Sequence, residues 1–395
     1  MEVRDVVVLS AVRTAIGKFG GSLKDTPPTE LAAKVVCQSV HRSGINPAVI
    51  GHVVFGHVIH TEQKDMYLAR VAALRGGIPA ETAAMTVNRL CGSGLQAVIS
   101  AAEAIVHDDC DAAIGGGAES MSRAPYWLPS MRWGARLNDA KAIDALVAAV
   151  TDPFDNVHMG ITAENVARKW SVSRDDQDAL AVESHRRAVA AIGAGRFREQ
   201  IIPIELTSKN GPAQFVTDES PRADTTLEAL AKLKPAFDPN GTVTAGNAST
   251  INDGAAAVVL MERHLAQSRG LKPMARLVGY SVAGVEPEIM GVGPIAAVHK
   301  VLERTRLTKD QMDVIELNEA FAAQLLAVRR SLDLPPEKTN PNGSGISLGH
   351  PLGATGAICT VKALHELRRV SGQYALVTMC IGGGQGIAAI FESLN

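Results

Sequence analysis

Two short patterns occur twice in this chain, and both copies stand in the same kind of setting. Cys91-Gly92-Ser93-Gly94 precedes an apolar helical run, and Asn342-Gly343-Ser344-Gly345 precedes another. Ala113-Ile114-Gly115-Gly116-Gly117 is matched by Cys380-Ile381-Gly382-Gly383-Gly384. A duplicated unit is the simplest reading, with groups from both copies meeting at the seam.

The unit is α/β. Short β-rich runs at Val6 to Leu9, His52 to Val58, Met85 to Val87 and Ala112 to Ile114 alternate with helical stretches such as Thr29 to Arg42 and Leu95 to Val106. That alternation predicts a buried sheet covered by helices. The last third repeats the order. Ala275 to Tyr280 opens it, Ile295 to Arg304 is helical, and Val314 to Leu317 is a strand. A glycine turn and apolar helix within Gly343 to Leu364 precede strands at Tyr374 to Met379 and Gly386 to Phe391.

Between the two copies the composition shifts. Trp127, Trp133 and Trp170, many charges and five proline-containing turns mark an insertion of about 130 residues, expected to cover the site or build an oligomer contact. Its helix from Asp175 to Ala194 carries Ala179, Val182, Ala188, Val189 and Ile192 at helical spacing, which reads as a core stripe.

At 395 residues the chain exceeds one ordinary core. A net charge of −2 gives no sign of nucleic acid or an anionic membrane as partner. The five cysteines include no C-x-x-C and no cluster with histidine, which argues against a disulfide framework and against a metal site. A reducing compartment fits. Met1-Glu2-Val3-Arg4-Asp5 lacks a leader pattern and Ser393-Leu394-Asn395 is not the peroxisomal tripeptide, so a cytoplasmic protein is expected. The uncharged look of Asn340 to Val361 and Gln373 to Phe391 is broken by glycine, proline and polar residues, which suits strands and turns, not membrane spans.

Cys91 lies between an extended stretch and a helix, so its thiol is placed at a helix N-terminus, where free N–H groups and the helix dipole favour thiolate. A buried structural cysteine is the bland alternative. Four further segments place chemistry at strand ends or glycine turns: Asn318-Glu319-Ala320-Phe321, Gly349-His350-Pro351, Cys380-Ile381-Gly382, and His158-Met159-Gly160 opening a helix from Thr162 to Lys169. Singly, His350 reads equally as a turn histidine, Asn318 as a cap, Cys380 as a core thiol and His158 as a surface residue. Together they supply two thiols, two imidazoles and an amide at the loop ends where open α/β sheets gather ligands.

This set resembles the thiolase family, most closely its short-chain biosynthetic β-ketothiolases (acetyl-CoA acetyltransferases), from Arg13-Thr14-Ala15-Ile16-Gly17 to the Cys380 loop. The Cys91 loop, Gly349-His350-Pro351-Leu352-Gly353-Ala354-Thr355-Gly356 and the Cys380 loop carry the likeness. The resemblance implies two duplicated α/β halves in a five-layer αβαβα arrangement with an inserted loop domain. It divides the chain into 1–120, completed by 251–272, an insert at 121–250, and a second half at 273–395.

It also implies the activity: reversible Claisen condensation of two acetyl-CoA, or acetyl-CoA plus propionyl-CoA, through an acyl-cysteine. Coenzyme A is then substrate and product, and no cofactor is bound permanently. Claisen chemistry needs a thiol acceptor for one acyl group and a base for the α-proton of the other. The likeness assigns Cys91 as nucleophile, His350 as acceptor of its proton, and Cys380 as the base. Asn318 (through a held water) and His350 would serve one oxyanion, and the N–H groups of Cys91 and Gly382 the other. His158, Met159, Ala320 and Phe321 would border the acyl pocket, with Val150, Ala229 and Leu230 near its end. Arg222, Ala245 and Ser249 match coenzyme A contacts, and Arg222 reads equally well as a solvated charge. Two residues depart from the pattern: Thr250, where Gly is expected, and Ala229, where Ser is common.

By the same resemblance, the aromatic segment Tyr126 to Trp133 matches the region that joins two tight dimers in short-chain thiolases, which implies a homotetramer, with a core location as the alternative. A compact pocket implies C4 and C5 substrates, as in ketothiolases that supply polyhydroxyalkanoate precursors. Three rivals read the chain differently, and one, a catalytically dead thiolase-like scaffold or binding protein, should have lost at least one of Cys91, His350 and Cys380, all of which stand here. A degradative long-chain thiolase shares the same motifs. A dinucleotide-binding enzyme would use Gly92-x-Gly94-x-x-Ala97 with Glu119, but leaves His350 and Cys380 unexplained.

Overall fold

A computed structural model of the chain describes residues 4–208 and 211–394. Met1 to Val3 and Asn395, which bear on targeting, lie outside the described residues. The first half contains β1 (Val6–Thr14), α1 (Pro28–Ser43), β2 (Ile50–Gly56), β3 (Ala83–Val87), α2 (Ser93–Val106) and β4 (Ala112–Ser120). The insert contributes α3 (Met159–Lys169) and α4 (Arg174–Gly193), and β5 (Asn252–Glu262) then returns to the first sheet. The second half contains β6 (Ala275–Gly284), α5 (Gly293–Thr305), β7 (Met312–Leu317), α6 (Ala322–Leu332), α7 (Leu352–Arg369), β8 (Tyr374–Ile381) and β9 (Gln385–Ser393).

The duplication is visible in the hydrogen-bond ladders. In the first half the strands lie in the order β3-β2-β4-β5-β1, and in the second β7-β8-β9-β6. In the first half β2 runs parallel to β4, and β4 and β1 run antiparallel to β5; in the second half β7 runs parallel to β8, and β8 and β6 run antiparallel to β9. Where the first half has β3 beside β2, the second has only a parallel bridge between Thr339 and Ile315. The two sheets join where β1 meets β6, at Val7 with Arg276 and Val8 with Ala275.

The strands β1, β4 and β5 are buried along their whole length, because helices cover both faces of the sheet. α1 packs on one face, and α2 and α7 lie against each other between the two sheets, with α5 outside the second. The layers are therefore αβαβα. α7 shows why a near-continuous apolar sequence need not cross a membrane: Leu352 to Leu364 is buried within the protein. Among the described residues no helix is long and apolar enough to span a bilayer.

The central helix pair depends on glycine. A Cβ on Gly94 would sit 2.6 Å from the backbone nitrogen of Ala357, and one on Gly356 would sit 2.2 Å from that of Leu95. Any side chain there would push α2 and α7 apart, and with them the two loops they carry.

α4 departs from the expected stripe. Its buried face is Gln177, Asp178, Ala181, Ser184, His185, Ala188 and Ala191, while Ala179 is exposed and Val182, Val189 and Ile192 are half-buried. Polar groups take the inner face because partners await them: Ser184 donates to Glu319 at 2.6 Å, and Asp178 accepts from Asn247 at 2.9 Å. Satisfied hydrogen bonds offset the cost of burying polar atoms, so apolar spacing alone misplaced the face.

Candidate active site

β3 ends at Val87, and a tight turn carries the chain into α2. Within it the Leu90 N–H donates to Asn88 Oδ1 at 2.9 Å, and the Ser93 hydroxyl donates to the Leu90 carbonyl at 2.6 Å. Leu90 is held at φ 44°, a conformation that branched residues avoid. The strain sits one residue before Cys91, which the turn aims into the protein with 9% of its surface exposed.

The Gly382 N–H, from the other half, and the N–H of Cys91 itself lie near the Cys91 sulfur and act to lower its pKa. Both favour thiolate. Burial outweighs them and pushes Cys91 up to about 11, with Glu119 adding repulsion. The expectation that a helix N-terminus makes a resting thiolate is therefore corrected: desolvation exceeds the dipole, and the resting group is a thiol. It needs a base.

His350, which lines the same cavity, is the candidate for that base. Its own N–H donates to Asn252 Oδ1 at 2.9 Å, and its ring Nδ1 lies 2.7 Å from the Thr355 hydroxyl. That hydroxyl donates its one proton to the Pro351 carbonyl at 2.8 Å, so it accepts from Nδ1–H. Nε2 is thus the unprotonated nitrogen, consistent with the Asn318 amide N–H donating toward it at 3.4 Å. Burial holds His350 down to about 4, so at neutral pH the ring is a free base. Thr250, a departure from the family pattern, donates to Asn252 Oδ1 at 2.8 Å and so joins the support of His350.

Cys380 is the penultimate residue of β8, paired with Gly386 of β9 and 1% exposed. Burial, then the neighbouring Cys91, push its thiol far up. The glycine turn that follows permits close approach: a Cβ on Gly382 would sit 2.2 Å from Met159 Cε. Asn318 is fully buried, and its Oδ1 has no hydrogen-bond partner among the described residues.

α3 begins at Met159, three residues before the expected Thr162, because His158 caps it by accepting the Gly160 N–H on Nδ1 at 3.0 Å. That leaves Nε2–H as a donor. The ring stacks on Phe237 at 4.5 Å between centroids, and burial lowers its pKa.

These residues converge. One cavity of about 780 Å³ is lined by Cys91, His158, Met159, His350 and Cys380, by Ala320 and Phe321, and by Arg222, Ala245 and Ser249. Asn318 and Gly382 stand behind its wall, through His350 and Cys91 respectively. Arg222 is exposed at the mouth, with its N–H on His185 Nδ1 at 3.1 Å. Val150 and Leu230 line the cavity, but Ala229 does not: it is exposed on a short helix, its N–H on the Thr226 hydroxyl. Two apolar clusters meet here, one around Cys91 and one around Cys380, and Val150 packs against both. Sequence reasoning missed Phe237, Met290, Thr355 and Asn252. In a chain with only 4% aromatic residues, Phe237 was the one whose rarity could have drawn notice.

The dinucleotide reading fails on geometry. Glu119 is fully buried and accepts three backbone N–H bonds, so no ribose can reach it, and the space beside Gly94 is filled by α7.

A model of the thiolase N-terminal domain matches residues 6–264, and one of the thiolase C-terminal domain matches residues 271–393. The chain is 61% identical over 392 residues to beta-ketothiolase BktB of Cupriavidus necator, covering 99% of this chain and 100% of the relative. It is 47% identical over 387 residues to an acetyl-CoA acetyltransferase of Pseudomonas aeruginosa, covering 98% of each. Among solved structures, human mitochondrial 3-ketoacyl-CoA thiolase in complex with CoA superposes with a TM-score of 0.97 at 44% identity, covering 100% of this chain and 99% of that one.

Proposed function

The chain belongs to the thiolase family, and from that premise we propose how its own residues run the reaction. It is a β-ketothiolase, an acyltransferase that reversibly joins two acyl-CoA molecules into a 3-ketoacyl-CoA and free CoA. The observation that carries the residue assignment is the convergence of Cys91, His350 and Cys380 on one cavity.

His350 Nε2 takes the Cys91 proton as the sulfur attacks the first thioester carbonyl. The oxyanion so formed lies against the N–H groups of Cys91 and Gly382, both of which bear on the sulfur. Coenzyme A leaves with the proton returned by His350, and the acetyl group stays on Cys91. A second acetyl-CoA then enters; Cys380 passes its own proton to His350 Nε2 and, as the thiolate, removes the α-proton, and His350 later returns that proton to the Cys91 thiolate expelled when the carbon–carbon bond forms. The enolate oxygen is stabilised by His350 and by a water held at Asn318, whose unpartnered carbonyl is an available acceptor. Carbon–carbon bond formation at the acyl-cysteine releases acetoacetyl-CoA and restores Cys91.

His158, Met159, Ala320 and Phe321 border the acyl group, and Arg222, Ala245 and Ser249 hold coenzyme A along the outer cavity. Residues 121–250 form the inserted loop domain over the site, between halves at 1–120 with 251–272 and at 273–395. Val150, where the two thiol clusters meet, limits acyl length. Each methylene that fits adds about 0.8 kcal/mol, so a small widening admits one more carbon. C4 and C5 3-ketoacyl-CoAs should both be good thiolysis substrates, a range suited to polyhydroxyalkanoate precursors, with kcat/KM falling for longer chains. A profile peaking at C10 or beyond would place the enzyme in fatty-acid degradation instead.

The protein acts as a cytoplasmic homotetramer on this reading. Tyr126, Trp127, Leu128, Met131 and Trp133 are exposed, Trp133 by 84%, so the core alternative for this segment falls away. Met85 on the open edge of β3, with Met66 and Tyr67 beside it, forms a second exposed apolar surface. Two such surfaces suit a dimer of dimers. Sedimentation of protein drawn from the cytosolic fraction should show one species near four times 41.5 kDa. Monomer alone, or absence from that fraction, would contradict this.

A further inference from the structure

Behind Cys91 lies a buried ionic group that the reaction scheme does not use. Glu119, near the end of β4, is fully buried. Its carboxylate accepts from the Val58 N–H at 3.0 Å, the Ile59 N–H at 3.1 Å and the Gly353 N–H at 2.8 Å. Ile59 packs in the same apolar cluster as Cys91 and Leu352, and Gly353 follows His350 by three residues at the start of α7. One side chain therefore fastens the wall of the nucleophile's pocket, from the first half, to the base's loop, from the second.

His57 stands beside it. Its Nδ1–H donates to the Ala118 carbonyl at 2.8 Å and lies 3.2 Å from Glu119 Oε1, while Nε2 lies 3.8 Å from Asp65 Oδ2. Asp65 is itself fixed by the Thr61 N–H and hydroxyl and the Glu62 N–H. The imidazole is thus held between two buried carboxylates. The other titratable groups facing this cluster are His60, whose ring centroid is 5.2 Å from that of His57, and Cys91, which feels Glu119.

Resting on the thiolase reading of the site, we infer that Glu119 is a positioning residue that sets Cys91 and His350 in register, and that His57 is the buried cation keeping its carboxylate ionised. The charge states agree with this. Burial alone would lower His57, but Glu119, Asp65 and the Ala118 carbonyl leave it raised. Burial raises Glu119, and His57 is the largest influence opposing that rise. Removing the cation lets Glu119 take up a proton at a higher pH, and a protonated carboxyl has one oxygen fewer to accept the three N–H bonds. The clamp then loosens as pH falls.

The test compares His57→Gln and Glu119→Gln with the unaltered enzyme in thiolysis of acetoacetyl-CoA across pH. Glu119→Gln should lower kcat about tenfold to a hundredfold at every pH, the cost of small misplacement of reacting groups. His57→Gln should approach normal kcat at high pH, with its acid limb moved up by about one pH unit or more. In both, KM should stay within about twofold, since binding contacts are untouched. Superimposable pH profiles for His57→Gln and the parent, or losses appearing equally in KM, would overturn the inference, and the first of these stands even if Glu119→Gln fails to fold. Alkylation of Cys91 by iodoacetamide, read by peptide mass spectrometry, needs no substrate and should show the same shift of the acid limb in His57→Gln. An unaltered enzyme that alkylates at Cys91 yet does not cleave acetoacetyl-CoA removes the thiolase assignment and leaves that comparison as the test.

Discussion

Replacing Cys91 by alanine should abolish both condensation and thiolysis, with kcat reduced on the order of 10⁴-fold or more. The size follows from what would remain. Cys380 is more deeply buried than Cys91 and its thiol is held further from ionisation, so it is a poor substitute nucleophile. Cys91 itself, pushed up to about 11 by burial, is ionised to only about one part in 10⁴ at neutral pH. On the proposed assignment its reactivity depends on transferring the proton during attack to His350, whose Nε2 is unprotonated because Thr355 fixes the opposite tautomer. Steady-state assay in both directions checks this, and Cys91→Ala retaining a percent or more of normal turnover would contradict it.

Cys380→Ala should divide the reaction instead of ending it. On the proposed assignment the first half-reaction, acetylation of Cys91, uses His350 and the two N–H donors, none of which Cys380 supplies. Condensation needs the α-proton removed, and loss of a positioned base costs typically 10²- to 10⁴-fold. The structure adds that the Cys380 thiol is held in an apolar cluster with Met159, Ala320 and Phe321, so water does not readily take its place. The expected result is near-normal transfer of acetyl to Cys91 with condensation down by that factor. Parallel loss of both half-reactions would mean that the alanine disturbed Cys91 rather than removing a base.

Much of this site was legible in the sequence because its chemistry sits on short, rigid motifs. Cys91 lies in a glycine turn after β3, His350 in the glycine-rich loop before α7, and Cys380 at the end of β8 just before a glycine turn, and these are brought together by the α2–α7 crossing that Gly94 and Gly356 allow. The duplicated patterns carried the fold for the same reason, since each half repeats one strand order. What stayed hidden depended on competition between forces that spacing does not record. The Cys91 turn promises a thiolate, and only the depth of burial reverses that. α4 reads as an apolar stripe until Glu319 and Asn247 appear as partners for its polar face. Thr355 and Asn252 look ordinary in sequence, yet they set the tautomer and backbone position of His350. Glu119 fitted a dinucleotide pattern by spacing alone, and its burial against three N–H groups gives it a different role.

On the proposed assignment two thiols from opposite halves divide the labour, one carrying the acyl group and the other moving the α-proton. The most direct measurement is peptide mass spectrometry of Cys380→Ala after brief exposure to acetyl-CoA, paired with deuterium exchange into the methyl group of acetyl-CoA in the same sample. The account predicts one acetyl group on the Cys91 peptide and exchange no faster than without enzyme. An adduct confined to Cys37, Cys110 or Cys359, or deuterium exchange at the rate of the unaltered enzyme, would contradict it.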